Sequence, residues 1–191
     1  MPVIIENDFD LLQNGLMTVQ NPGAGLHLQY LSGAAHINFP AKLALVATQG
    51  VTVGHLTMSY TGTVNSSGSQ VGLACLQSGR SLVGGTAYVF LYQPSTGFSS
   101  LYKNTSGLGT AIFLTSVSGT PSYGSLSLLW VVSPDLDWTL LIASVGGEER
   151  LRYQDFVAPY TSGVTESGFF WDTSTIAYDL TITSVAMYGP P

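Results

Sequence analysis

The stretch whose reading decides the fold is 125-SLSLLWVVSPDLDWTLLIAS-144. Leu126, Leu128, Trp130 and Val132 occupy alternate positions and share one face of an extended chain. Leu129 and Val131 are apolar on the other face, so the run reads as a central strand that becomes covered on both sides near its end. Trp138, Leu140 and Ile142 repeat the alternation, and the intervening 133-SPDLD-137 is made of turn-forming residues. Together the two runs predict an antiparallel hairpin.

The same rhythm continues outward in both directions. Short runs rich in Val, Ile, Leu, Thr and Tyr recur between clusters of Gly, Ser, Asn and Pro, and no long segment has helical period. Strands are predicted at Leu26–Leu31, Gly54–Tyr60, Val71–Leu76, Thr86–Tyr92, Ser99–Lys103, Ala111–Thr115, Ser125–Val132, Trp138–Ser144, Arg150–Phe156 and Ala177–Met187. The segment 40-PAKLALVATQ-49 has residues that suit a helix but the length and surroundings of a strand, and we assign it to a strand. In the closing run, Tyr178, Leu180 and Ile182 alternate with Asp179, Thr181 and Thr183 before the apolar parity moves to Val185 and Met187. A β-bulge near Thr183 or Ser184 would restore the inward face. In 169-FFW-171, Phe169 and Trp171 point to one side and Phe170 to the other, so at least one of the rings belongs to the core. The chain is expected to be a single all-β sandwich domain over residues 1–191, with short arms at 1–7 and 188–191.

Composition narrows the function. Of 191 residues 45% are apolar, close to the globular average, but only 8% are charged against about 25% in ordinary domains. The net charge of −6 leaves five bases, Lys42, Arg80, Lys103, Arg150 and Arg152, which are too few and too scattered to neutralise a row of phosphates. Nucleic acid is not an expected partner. A sparsely charged surface does little to oppose self-association, so a homo-oligomer or contacts with other proteins of a particle are expected. Cys75, in an apolar alternating run, has no intrachain partner for a disulfide and reads as a small core residue. The start, 1-MPVIIENDFD-10, has acids where a secretory signal carries bases, and the longest apolar runs fall far below the roughly 20 residues of a spanning helix. A virion, or the cytoplasm before assembly, is the expected location, without membrane insertion. Asn65-Ser66-Ser67 and Asn104-Thr105-Ser106 match the glycosylation pattern but read as turn residues.

From Asn7 to Tyr188 the order of features resembles the concanavalin A-like lectin and glucanase sandwiches, especially their laminin G-like relatives. The resemblance lies in 7-NDFD-10, 71-VGLACL-76, 87-AYVFLYQ-93, 99-SSLYKN-104, 123-YGSLSLLWVV-132, 137-DWTLLIAS-144, 150-RLRYQDF-156, 160-YTSGVTESGFFW-171 and 176-IAYDLTITSVAMY-188. It implies a two-sheet antiparallel jelly-roll β-sandwich of concanavalin A-like form. The paired glutamates that serve the family's glucanases have no counterpart, because Glu148 and Glu149 are adjacent and face opposite ways on a strand. Retaining glycoside hydrolysis needs two carboxyls about 5 Å apart on one side of a cleft. The family's Asp and Asn metal loop is not evident either, and Asp135 and Asp137 read as a polar turn. His27, His36 and His55 lack metal-binding spacing, and no nucleophile elbow, phosphate loop or dinucleotide fingerprint is present. A non-enzyme without metal or cofactor is expected.

Sugar binding needs less: an exposed ring or two to stack on pyranose faces, and amide, hydroxyl or carboxylate groups to meet the hydroxyls. The candidates are Tyr92 and Gln93 before the turn 94-PSTG-97, Phe98 and Tyr102 after it, and Trp171 and Asp172 before 173-TST-175. Tyr123 and Tyr160 lie at strand ends where rings often surface. For each ring, packing in the core or at an interface is the competing assignment. The function expected first is a non-catalytic structural component of a viral particle, a capsid decoration or cement protein or a tail protein of a bacterial virus. The alternative is a carbohydrate-binding adhesin or lectin module able to bind a surface glycan, with a glycoside hydrolase as the third reading.

Overall fold

The computed structural model describes residues 3–7, 17–20, 28–31, 34–37, 43–47, 52–63, 70–77, 86–105, 111–120, 124–160, 166–172 and 179–188. Fifteen strands run through them: β1 (Val3–Asn7), β2 (Met17–Gln20), β3 (Leu28–Leu31), β4 (Ala34–Ile37), β5 (Leu43–Ala47), β6 (Val53–Thr63), β7 (Gln70–Gln77), β8 (Ala87–Gln93), β9 (Phe98–Asn104), β10 (Ala111–Val117), β11 (Ser125–Val132), β12 (Thr139–Val145), β13 (Glu148–Asp155), β14 (Glu166–Asp172) and β15 (Asp179–Tyr188). Every described pairing is antiparallel. One sheet has the order β13-β12-β11-β6-β15-β4-β3 with β1 added beside β15, and the other the order β10-β9-β8-β7-β14-β5-β2.

The hairpin forms as its alternation predicts, with Leu126 opposite Val145 and Val132 opposite Thr139. Its turn is braced by Ser133, whose hydroxyl donates to Asp137 Oδ1 at 2.6 Å and accepts from the Asp137 amide at 2.9 Å. In β11 the buried face is Leu126, Leu128, Trp130 and Val132. In β12 it is Thr139, Leu141, Ala143 and Val145, while Leu140 and Ile142 join Leu129 and Val131, half-buried, on the outer face. The antiparallel register places Leu141 beside Trp130 and thereby fixes this parity.

The two inner faces meet where β11 packs across β7. Leu56, Met58, Tyr60, Leu128 and Trp130 come from one sheet, and Val71, Leu73, Tyr88, Phe90, Tyr92 and Leu101 from the other, all nearly or wholly inaccessible. Burying each such large apolar side chain contributes about 1.5–3 kcal/mol. Cys75 is a buried free thiol among them, as its apolar run suggested. The register shift in β15 falls between Ile182 and Ser184, where the parity change placed it, and beyond it Val185 and Met187 stand opposite the buried Met58 and Leu56.

Within the short N-terminal arm expected at 1–7, the described residues form a strand. Val3–Asn7 is β1, paired with β15 from Val3 opposite Tyr188 to Asn7 opposite Val185. Its reason is local: β4 pairs only Leu180–Ile182, so the second half of β15 has an open edge that this short run fills. Tyr188 likewise belongs to β15, and residues 189–191 of the expected C-terminal arm lie outside the described residues.

Candidate functional site

The β8–β9 hairpin and its neighbour β10 build one end of the seven-stranded sheet. Gln93 faces Phe98 across a four-residue turn closed by the Gly97 amide on the Gln93 carbonyl at 2.9 Å. Gly97 has φ of 72°, and a Cβ there would lie 2.2 Å from the Gly119 carbonyl oxygen, so the turn needs glycine for both conformation and room. Thr96 donates from its hydroxyl to Gln93 Oε1 at 3.0 Å and accepts from the Phe98 amide at 3.3 Å, which fixes the Gln93 side chain at the rim.

From that turn the period of two sorts the side chains. Tyr88, Phe90, Tyr92, Ser99, Leu101 and Lys103 face the core, and all are buried. Gln93, Phe98, Ser100, Tyr102 and Asn104 face outward. Cross-strand pairing extends this outer face to β10, with Tyr102 opposite Phe113, Ser100 opposite Ser116 and Asn104 opposite Ala111. The Tyr102 and Phe113 rings meet edge-on, centroids 5.7 Å apart at 71°. Tyr102 rests on Ala74, Ala87 and Val89, small residues that bring the ring close to the sheet, whereas Phe113 is 54% exposed. Along β9 the outward residues therefore alternate ring, hydroxyl, ring, amide: Phe98, Ser100, Tyr102, Asn104.

The polar members of this row are unusual. Ser100 Oγ and both Asn104 amide atoms are buried and have no hydrogen-bond partner. A buried polar group left unmade costs about 1–3 kcal/mol, and native proteins hold few of them without a functional reason. No charged side chain belongs to the outward rows of β8, β9 and β10; Lys103, the one charge on these strands, points inward.

The sequence candidates separate accordingly. Gln93, Phe98 and Tyr102 come together on this face. Tyr92 does not, because it is one residue from Gln93 in the same strand and lies fully buried on the inner side, out of reach of any ligand in solvent. Trp171 stands opposite Val71 in β14, the register row of Tyr92, and Asp172 stands opposite Gln70; their side chains lie outside the described residues. Tyr123 also lies outside them. Phe113, Ser100 and Asn104 escaped the sequence reading, since only the β9–β10 register brings Phe113 beside Tyr102.

Tyr160 belongs to a second cluster, between the sheets, that the sequence did not signal beyond a lysine in an otherwise uncharged strand. Lys103 Nζ donates to Asp155 Oδ2 at 2.6 Å, to the Val157 carbonyl at 2.6 Å and to the Ala158 carbonyl at 2.7 Å. The Tyr88 hydroxyl donates to the same carboxylate oxygen at 2.6 Å and accepts from the Tyr160 amide at 3.1 Å, while the Val157 amide donates to Asp155 Oδ1 at 2.9 Å. The Tyr160 hydroxyl donates to the Asn104 carbonyl, and its ring lies 4.8 Å from Lys103 Nζ. Burial alone would raise the Asp155 pKa, but the hydrogen bonds from Lys103, Tyr88 and the Val157 amide and the lysine charge hold it below the usual carboxylate range. Burial first, and then the bond to Asp155, push the Tyr88 phenol far up. The three donors of Lys103 are all engaged, so the cluster is a clamp between β13 and the opposite sheet rather than a reactive amine.

Glu148 and Glu149 are both exposed on β13. Glu149 pairs with Arg152 at 2.8 Å, which keeps its carboxyl below the ordinary range. Asp137 braces its turn, and among the described residues no group of three or more His, Cys, Asp or Glu side chains is placed to hold a metal. Among those residues, too, no helix is long and apolar enough to cross a membrane.

The sequence matches no protein family and no curated protein. Solved structures share the architecture. A galectin-like protein of unknown function from Bacillus subtilis superposes with a TM-score of 0.68 at 10% identity, over 98% of this chain and 96% of its own. The fold is a two-sheet antiparallel jelly-roll β-sandwich of concanavalin A-like form. The metal-free carbohydrate recognition domain of Emp46p gives a TM-score of 0.65 at 11% identity, over 96% of this chain and 93% of that one. The CBM2 module of the evolved Dit of Lactobacillus casei BL23 phage J-1 gives 0.59 at 9% identity, over 97% and 94%. The lectin-like sandwich thus spans nearly the whole chain.

Proposed function

We propose that the chain is a non-catalytic carbohydrate-binding module whose ligand lies on the outer face of β8, β9 and β10. The observation that supports this best is the row of outward rings, Phe98 and Tyr102 on β9 extended by Phe113 on β10, with the Gln93 side chain fixed at the rim beside them. Rings stack on the apolar faces of pyranoses, and amides and hydroxyls meet their hydroxyls. The face has no charge to pair with a carboxylate, phosphate or amine, so the ligand class is a neutral saccharide. That a carbohydrate recognition domain is among the structural neighbours agrees with this reading.

A glycan array followed by calorimetric titration tests it. Binding of a neutral glycan is expected, with Tyr102→Ala and Phe113→Ala each weakening it by about tenfold or more, the equivalent of about 1.4 kcal/mol. An array without signal, or a glycan bound equally well by both variants, would reject the reading. Loss on Trp171→Ala alone would move the site to β14.

A second reading, which is compatible with the first, makes the module a structural component of a bacteriophage particle. The observation favouring it is the similarity to a phage Dit module over nearly the whole of both chains. Recovery of the protein in stoichiometric amount from purified virions is the expected result, and its absence from them would reject this role.

A further inference from the structure

β10 is the edge of the seven-stranded sheet, so among the described residues no strand pairs with the backbone N–H and C=O groups on its side away from β9. Its cross-strand partners sort its side chains. Ile112, Thr115 and Val117 stand opposite the core-facing Lys103, Leu101 and Ser99, while Ala111, Phe113 and Ser116 stand opposite the outward Asn104, Tyr102 and Ser100. Leu114 is the extra residue of a bulge, which carries the inward row from Ile112 to Thr115. Although turned toward the inside of the sandwich, Ile112 is 51% and Val117 37% exposed, so the flank between β10 and β13 is an open apolar cleft. Edge strands ordinarily carry charges that keep other chains away, and 111–120 carries none.

The two ends of this cleft differ. At the start of β10, Lys103, the partner of Ile112, grips the Val157 and Ala158 carbonyls and so fixes beside the strand a segment whose Phe156 and Val157 are exposed. At the other end stands Arg150. The β12–β13 register passes from Ala143 opposite Leu151 to Ser144 opposite Glu149, which makes Arg150 the bulged residue and aims its side chain across to the chain that follows β10. A Cβ on Gly119 would lie 2.5 Å from Arg150 Nη1, so the guanidinium takes the space of the side chain that Gly119 lacks. The group is short of acceptors. Its Nε is buried with no hydrogen-bond partner, and Glu148 Oε2 lies 3.5 Å from Nη2, beyond the about 2.7–2.9 Å of a charge-assisted hydrogen bond. The Arg150 side chain is only 17% exposed, and leaving a charged donor so far out of water without an acceptor is costly. A carboxylate brought against it relieves that cost.

We propose that this edge binds an extended segment of another protein, which adds antiparallel to β10 as a further strand and sets an acidic side chain against Arg150. Residues directly opposite each other in an antiparallel pair share a face. The partner residues opposite Gly119, Val117, Thr115 and Ile112 therefore point into the cleft. Because Phe113 and Leu114 of the bulge together oppose one partner residue, those four are alternate residues of a regular strand. The one facing Arg150 is Asp or Glu, the next three are apolar, and the last of them lies toward Phe156 and Val157. From its N-terminal end the partner thus reads acid-x-apolar-x-apolar-x-apolar. A second copy offering its own β10 does not meet this need, since 111–120 contains no acid and would leave Arg150 as it is.

Calorimetric titration of the full chain with the capped peptide acetyl-Thr-Glu-Thr-Val-Thr-Val-Thr-Val-Thr-amide, and with the same peptide carrying Gln in place of Glu, tests the proposal. The wild type is expected to bind the Glu peptide about tenfold more tightly than the Gln peptide. Arg150→Met is expected to bring the Glu peptide down to the affinity of the Gln peptide while leaving the Gln peptide unchanged, a pattern that a merely structural role for Arg150 does not produce. The exchange of Glu for Gln in the peptide requires no variant to fold, and neither does hydrogen exchange on the wild type, in which amides of 112–119 are expected to gain protection when the Glu peptide is added. Failure of the wild type to bind the Glu peptide at about 1 mM overturns the proposal. Equal affinity for the two peptides, equal loss of both on Arg150→Met, or protection confined to other strands overturns it as well.

Discussion

Lys103 and Asp155 show how much one inward-facing charge determines. The pair is buried, hydrogen-bonded on every side, and joins opposite sheets. Lys103→Met leaves the carboxylate buried without its cation, and a loss of about 3–5 kcal/mol is expected in urea unfolding at neutral pH. The pH dependence follows from the depressed pKa of Asp155. Its contribution is present above the unfolded-state value of about 3.9 and is lost as pH falls through the lower folded value. The wild type should therefore lose stability steeply below about pH 4, while Asp155→Asn, already weaker at neutral pH, should show a flatter profile over the same range. Urea midpoints across that range check this, and parallel profiles for the two proteins would contradict it. Gly97→Ala combines an unfavourable φ with a clash against Gly119, and a loss of more than about 1 kcal/mol is expected in the same assay. At this scale the sequence was partly legible. Cys75 read correctly as core, whereas Tyr92 was grouped with Gln93 and Phe98 because proximity in sequence was given more weight than the period of two, which alternates neighbours between core and solvent.

Among the elements, long alternating runs were readable because burial imposes their pattern. The 125–145 hairpin, its turn and the β15 bulge were legible from apolar parity, although in β12 the alternation of Leu140 and Ile142 marks the half-buried outer face while Leu141, Ala143 and Val145 are buried; 40-PAKLALVATQ-49 contains β5 at Leu43–Ala47. The runs β1, β2 and β4, each four or five residues long, were not assigned, since so short a segment shows too few alternations to distinguish strand from loop. The β9–β10 register was equally hidden. Without it Phe113 is one apolar residue among several, and with it the ring stands beside Tyr102 on the proposed binding face. Because Phe113 is more than half exposed, Phe113→Ala is expected to change the urea midpoint little while weakening glycan binding. Trp130→Ala, at the centre of β11 and fully buried, is expected to cost about 3–5 kcal/mol. A Phe113 variant that unfolds as readily as the Trp130 variant would return that ring to a packing role.

At the scale of the whole molecule, the fold is written in many weak features that agree, and the function in very few. No single motif among the quoted runs is diagnostic, yet their order points to the two-sheet antiparallel β-sandwich that the structure displays. The candidate site lacks any such signature because a sugar face needs no fixed spacing: it is a property of one side of a sheet, assembled from strands whose pairing the sequence does not print. The sparse charge of the sequence reaches the proposed glycan face, whose outward rows on β8, β9 and β10 carry none. The most direct test of the central claim is to map amide chemical-shift changes as a neutral glycan identified on the array is added. Perturbations concentrated in 98–104 and 111–116, saturating with the calorimetric affinity, are predicted. Perturbations confined to β14 or to the eight-stranded sheet, or no bound glycan at all, would contradict it.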